Sequence, residues 1–171
     1  MARLSSDVEF TVASLPSESS SNIRSLVFVY GDQLNRDSAA FDGFSPAQDA
    51  VFMAEVAEES TNSWSSKMRS AVFLSAMRHF AQSMHDAGAR IYYARSEDSG
   101  NTQSLIGELA RAVATLRPTR VVLVEPGEWR LRESLRSLTH VPVDRRDDRH
   151  FYCSPADFAQ HAEKRKNLRL E

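Results

Sequence analysis

The sequence is poor in the residues that staple or span. It has one cysteine, six glycines and six prolines in 171 residues. A single cysteine, Cys153, excludes an internal disulfide framework, a cysteine zinc site and an all-cysteine iron–sulfur cluster held by this chain. No apolar run approaches the roughly 20 residues of a membrane span. Asp7 and Glu9 interrupt the stretch that a secretory signal keeps apolar, so a cytoplasmic protein is expected. An excess of charge of one sign is missing as well: 21 lysines and arginines stand against 23 aspartates and glutamates, a net −2. The chain therefore lacks the basic surplus that drives sequence-independent nucleic-acid binding. Both phosphate-cradling fingerprints, GxGxxG and GxxxxGK[ST], are missing, and no DxD-type spacing points to a metal.

What is present suits one globular domain. The chain is 42% hydrophobic and 26% charged, ordinary values for its length and enough to build a core. Residues 1–24, with LPSESSSN and no usable period, read as a disordered leader. From Ser25 to Glu171 the composition is globular. Ser25–Tyr30, Ala50–Val56, Arg90–Arg95, Arg120–Glu125 and Val141–Arg145 read as short strands. Ser66–Ala87 reads as a helix with an apolar stripe of Val72, Phe73, Ala76, Phe80, Met84 and Ala87, stopped by Gly88. Thr102–Leu116 is a second helix, ended by Pro118. Glu128–Leu138 and Pro155–Glu163 are shorter, the latter with Ser154 as N-cap and proline at the first position. The alternation predicts an α/β fold: a mostly parallel sheet of about five strands with helices on both faces. The first crossover, Gly31–Asp49, is the exception, a polar loop with a short helix near Ser38.

In open α/β sheets ligands bind beyond the carboxyl ends of the strands, and here those ends carry acid. The first gives Gly31-Asp32-Gln33-Leu34, the second Glu55 and Glu58-Glu59, the fourth Glu125-Pro126-Gly127-Glu128. An acidic rim repels phosphate and accepts hydrogen bonds from O–H and N–H donors, so it suits a neutral, hydroxyl-rich or amine-bearing ligand. Plainer readings stand beside this one. Asp32 caps a turn, and Glu55, Glu59 and Glu125 are solvated. Trp129 is core, His79 a surface or structural histidine, and Cys153 a buried small hydrophobe. Ser65-Ser66-Lys67 is a helix start, and Arg145-Arg146, Arg149 and Lys164–Arg169 form a solvated or domain-facing edge.

Six segments occur in order: Gly31-Asp32-Gln33-Leu34, FDGFSPAQD (Phe41–Asp49), MAEVAEES (Met53–Ser60), SAMRHFA (Ser75–Ala81), EPGEWR (Glu125–Arg130) and DRHFYCS (Asp148–Ser154). Together they resemble the amino-terminal domain of the deoxyribodipyrimidine photolyase-related family, bacterial iron–sulfur photolyases and cryptochromes that include prokaryotic six-four photolyases. The resemblance implies a Rossmann-like antenna domain that binds 6,7-dimethyl-8-ribityllumazine and passes excitation to FAD. In the family a larger helical domain, in cis here or supplied in trans, holds FAD, a four-iron four-sulfur cluster and damaged DNA. That domain would begin where this sequence stops, at KRKNLRLE. The chain alone is thus expected to hold no catalytic residue for this carbon–carbon lyase chemistry and to reach DNA only through that domain. By matched position, Asp32 and Glu59 are the hydrogen-bonding carboxylates and Phe73 packs near the chromophore ring. Gly31, Gln33, Leu34 and Glu55 shape the surroundings. The resemblance departs at Ser65-Ser66, where the family carries a histidine pair. The alternative is a chromophore-free interaction module docking on a catalytic partner in trans.

Overall fold

The computed structural model describes residues 10–16, 22–58 and 66–163. Glu59, Ser65 and the basic run Lys164–Arg169 lie outside the described residues. Five strands form one sheet: β1 (Ser25–Phe28), β2 (Ala50–Ala54), β3 (Ile91–Ala94), β4 (Arg120–Val124) and β5 (Val143–Arg146). All pairings are parallel, in the order β3-β2-β1-β4-β5. Among the described residues four complete α-helices connect or follow them: α1 (Lys67–Asp86), α2 (Leu105–Leu116), α3 (Trp129–Ser134) and α4 (Pro155–Ala162). Short 3-10 turns lie at Ala39–Phe41 and Leu135–Ser137. The Rossmann-like α/β expectation holds, and the short helix expected near Ser38 is the first of those turns.

β1 to β4 are largely apolar because both faces are covered, whereas the edge strand β5 carries Asp144, Arg145 and Arg146. Val27, Val29, Val51, Met53, Ile91 and Tyr93 face α1 and the first 3-10 turn. Leu26, Phe28, Tyr30, Phe52, Val121 and Leu123 face α2 and the turn at Leu135. The chain therefore leaves β1 toward one face and β4 toward the other. The two strands are neighbours, so a crevice opens between their carboxyl ends, at the switch point of the topology.

Local chemistry sets the boundaries. The Ser66 side chain accepts from the Arg69 N–H at 3.2 Å and starts α1. Gly88, at φ +88°, ends it in a conformation that other residues seldom take. Ser154 and Asp157 cap α4 reciprocally, with Pro155 at its first position. Three buried carboxylates, Asp49, Glu55 and Glu108, are each met by an arginine. Asp49 takes Arg24 Nε at 2.9 Å and the backbone N–H groups of Ser25 and Ser45, at 3.1 and 2.8 Å. This ties the long first crossover to the start of β1. Glu108 takes Arg111 and the Thr102 N–H.

Four expectations are corrected. The buried residues of α1 are Met77, Phe80, Ala81 and Met84, while Val72 stays 64% exposed and Ala76 and Ala87 face solvent. Of the expected stripe, Phe80, Met84 and the half-buried Phe73 face the sheet, while Val72, Ala76 and Ala87 lie off the covered face. Trp129 is 64% exposed, on a six-residue helix that buries none of its residues. Cys153 is exposed on the segment before α4, a helix with no buried residue. Finally, the disordered leader expected over 1–24 does not describe residues 10–16 and 22–24. Val12 and Ile23 are buried, and the Tyr93 N–H donates to the Ala13 carbonyl at 2.9 Å. Phe10 meets the Tyr93 ring edge-on at 5.1 Å, under the Arg95 guanidinium. The physical reason is the open side of β3, an edge strand whose backbone groups and Tyr93 ring gain partners from this segment.

Candidate functional site

Gly31 stands three residues beyond β1, against α1. A Cβ there would stand 2.7 Å from Phe73 Cε1 and 2.9 Å from Met77 Sδ, closer than side chains tolerate, so glycine is what lets the Phe73 ring lie on the end of the strand. Leu34 joins Phe73 on the same apolar face. Gly31→Ala is therefore expected to push the half-buried ring outward and to cost about 1–2 kcal/mol. Gly31→Ala/Phe73→Leu should recover most of that loss. Thermal unfolding of the three variants checks it, and an unaffected single variant would show that the ring is not held there.

Glu55 lies at the end of β2, but it is neither solvated nor free for a ligand. Its carboxylate takes Arg78 Nε at 2.6 Å and Nη2 at 2.8 Å, the Tyr93 hydroxyl at 2.8 Å, and the Ser96 N–H and hydroxyl at 3.3 Å. Burial alone would raise its pKa. Arg78 and Tyr93 outweigh that and hold it below the usual range. The group is a buried clamp joining α1 to the carboxyl edge of the sheet.

Asp32 is the opposite case. It is exposed as a residue, and its carboxylate has no partner side chain among the described residues. Partial burial of the carboxyl group raises its pKa against the lowering by its own backbone N–H, and the charges of Asp148 and Glu128 add to the rise. With Gln33, Gly127, Asp148, His150 and Phe151 it lines a crevice of about 220 Å³. His150 Nδ1 faces Asp148 Oδ1 at 2.7 Å, and its Nε2 faces Asn35 Nδ2 at 3.4 Å. Arg149 reaches Asp42 and the Asp37 carbonyl, and Arg146 the Ala39 carbonyl at 2.6 Å. These arginines fasten the segment after β5 to the first crossover, where a solvated or domain-facing edge was expected.

The structure thus brings Gly31, Leu34 and Phe73 together on the α1 face and puts Asp32 and Gln33 on the crevice. Glu55 stands apart in its clamp. Asp148, His150, Phe151 and Gly127 were not assigned from sequence. Asp148–Ser154 stood among the six segments, but only the β4–β5 pairing shows that it returns to β1. Among the described residues no cluster of histidine, cysteine, aspartate or glutamate could hold a metal, and no helix is long and apolar enough to cross a membrane.

Residues 27–171 match the model of the family described as deoxyribodipyrimidine photo-lyase-related protein. The chain is also 39% identical over 149 residues to a (6-4) photolyase of Agrobacterium fabrum. That match covers 85% of this chain and 29% of the relative, so the chain spans less than a third of the relative's length. The chain belongs to the deoxyribodipyrimidine photolyase-related family.

Proposed function

We propose that this chain is the light-harvesting domain of a DNA-repair photolyase or cryptochrome, and that its crevice holds the ribityl tail of 6,7-dimethyl-8-ribityllumazine. The observation that carries the reading is the Asp32 carboxylate, with no side-chain partner among the described residues, on the β1/β4 crevice that Gln33 and Phe151 also line. A carboxylate without a partner accepts from hydroxyl donors, and with Asp148 and Glu128 nearby it disfavours phosphate. The crevice volume of about 220 Å³ lies below the roughly 300–1,000 Å³ of pockets that enclose a whole small molecule. That size suits a tail better than a tail and ring together. When bound, the lumazine supplies near-ultraviolet or blue absorption and passes excitation to FAD on the helical domain. This chain's residues bind it, orient it and exclude water. Asp32 and Gln33 would hold hydroxyl groups, Phe73 would face the ring, and Glu59 enters by its matched position.

Ligand choice tests the reading. Lumazine and riboflavin should bind more tightly than FMN, whose phosphate brings a charge of about −2 toward the acidic rim. Hydrogen bonds to charged acceptors contribute roughly 1.5–3 kcal/mol, so Asp32→Ala should weaken lumazine binding about tenfold or more and narrow the gap to FMN. Fluorescence titration of the three ligands decides. FMN bound as tightly as lumazine, or Asp32→Ala indistinguishable from wild type, would refute the reading.

A further inference from the structure

The described residues leave six large apolar side chains exposed, and four of them are aromatic: Trp129, Phe151, Tyr152 and Phe158. Three of these fall on the short run from Phe151 into α4, where Tyr152 is fully exposed and Phe151 and Phe158 are 64% and 52% exposed. Trp129 follows Gly127 by two residues, and Gly127 lines the crevice together with Phe151. α4 itself is amphipathic. Pro155, Phe158, Ala159 and Ala162 recur at the spacing of one helix face, while Asp157, Gln160 and His161 take the other. Yet the helix buries no residue. Helices this short are marginal without tertiary packing, and the reciprocal cap with Pro155 fixes only the start. An uncovered apolar stripe beside further exposed aromatics has the make-up of an interface core.

The chemistry around this face selects its occupant. A helix that lies on a membrane carries lysine and arginine on its polar face, and the polar face of α4 has neither. Stacking on single-stranded nucleic acid needs a basic groove, whereas Arg130 and Arg149 are already paired with Glu128 and Asp42. A second copy gains too little. Four aromatic side chains at these exposures offer roughly 600 Å², against about 800 Å² per partner in a stable interface between free chains. Within one polypeptide the same area suffices, because a tether sets a millimolar effective concentration. Most of the length of the (6-4) photolyase relative lies outside the match, and α4 is the last described element of this chain. We propose that the aromatic face of Phe151, Tyr152 and α4, rimmed by Trp129, docks on an apolar surface of the helical domain that accompanies this chain. The proposal rests on the function proposed above for the identity of that partner, and not on any chromophore.

Cys153, exposed between Tyr152 and α4, is the reporter. Its rate of alkylation, read on its own peptide by mass spectrometry, is measured in the free chain. It is measured again in a joined protein, in which this chain replaces the matching segment of the Agrobacterium fabrum (6-4) photolyase. Docking should slow Cys153 about tenfold or more in the joined protein. Tyr152→Ser/Phe158→Gln should restore the fast rate there. The same variant should leave the melting temperature of the free chain unchanged, since both side chains are exposed. Equal rates in the two proteins, or a slow rate that the variant does not relieve, overturns the proposal. A free chain that melts several degrees lower in the variant covers the face itself, and a dimer that the variant dissolves covers it with a second copy; either result overturns the proposal. Should the joined protein not unfold cooperatively, the chain and the rest of the relative are mixed, and unchanged Cys153 reactivity counts against the proposal equally. Lumazine bound while Cys153 stays fast in the joined protein leaves the antenna reading standing without this surface. A slowed Cys153 without lumazine binding does the reverse.

Discussion

Arg78→Met is expected to destabilise the domain by about 2–4 kcal/mol. Removing one partner of a buried ion pair strands the other, at a cost of about 3–5 kcal/mol where both are enclosed. Here Glu55 is fully buried and the Arg78 side chain is 37% exposed, so water relieves part of the penalty. For a chain of this length the melting temperature should fall by roughly 4–16 °C. Glu55→Gln/Arg78→Met should regain part of the loss, since it removes the stranded charge. The pH dependence follows from the lowered pKa of Glu55. Its stabilisation is present in full above the unfolded carboxylate pKa and is lost as pH falls through the lower folded value. The gap between wild type and Arg78→Met should therefore close in acid. A loss under about 1 kcal/mol at neutral pH would mean that the pair behaves as a surface salt bridge.

Removing residues 1–16 should have an effect of similar size. The deletion uncovers the surface beneath Val12, which is 7% exposed, and strips Phe10 from the Tyr93 ring. Burying one aliphatic side chain contributes roughly 1.5–3 kcal/mol. With Phe10 and the Ala13–Tyr93 hydrogen bond added, the truncated chain should be about 3 kcal/mol or more less stable. Val12→Ala alone should show part of it. Denaturant titration of the two chains checks this, and superimposable curves would mean that the segment contributes nothing to the domain.

The sheet was legible because its strands are short apolar runs separated by amphipathic helices and marked stops such as Gly88 and Pro118. Strand order was not, since nothing local in Arg120–Val124 records that it lies beside β1 rather than β3. That gap hid half of the crevice: Asp148 and His150 become neighbours of Asp32 only through β5 lying beyond β4. The acidic carboxyl ends were readable, but their states were not. Glu55 and Asp32 look alike in sequence. Only the reach of Arg78 and Tyr93 distinguishes a saturated clamp from a free acceptor. Phe10 and Val12 were misread because two apolar residues in a polar stretch carry no period of their own. Their partner is an edge strand some eighty residues away. Trp129 was misread for the opposite reason, a large aromatic on a helix too short to bury it.

The claim that this domain holds a light-absorbing chromophore is tested most directly by the optical state of 6,7-dimethyl-8-ribityllumazine added to the purified chain. A chromophore fixed in a chiral, water-excluding site should show high fluorescence anisotropy and an induced circular-dichroism band in its absorption region. Both should saturate with protein concentration, reverse with excess unlabelled riboflavin, and diminish in Asp32→Ala. Lumazine that stays freely tumbling and optically inactive in the presence of the folded domain would contradict the account and favour an interaction module without a chromophore.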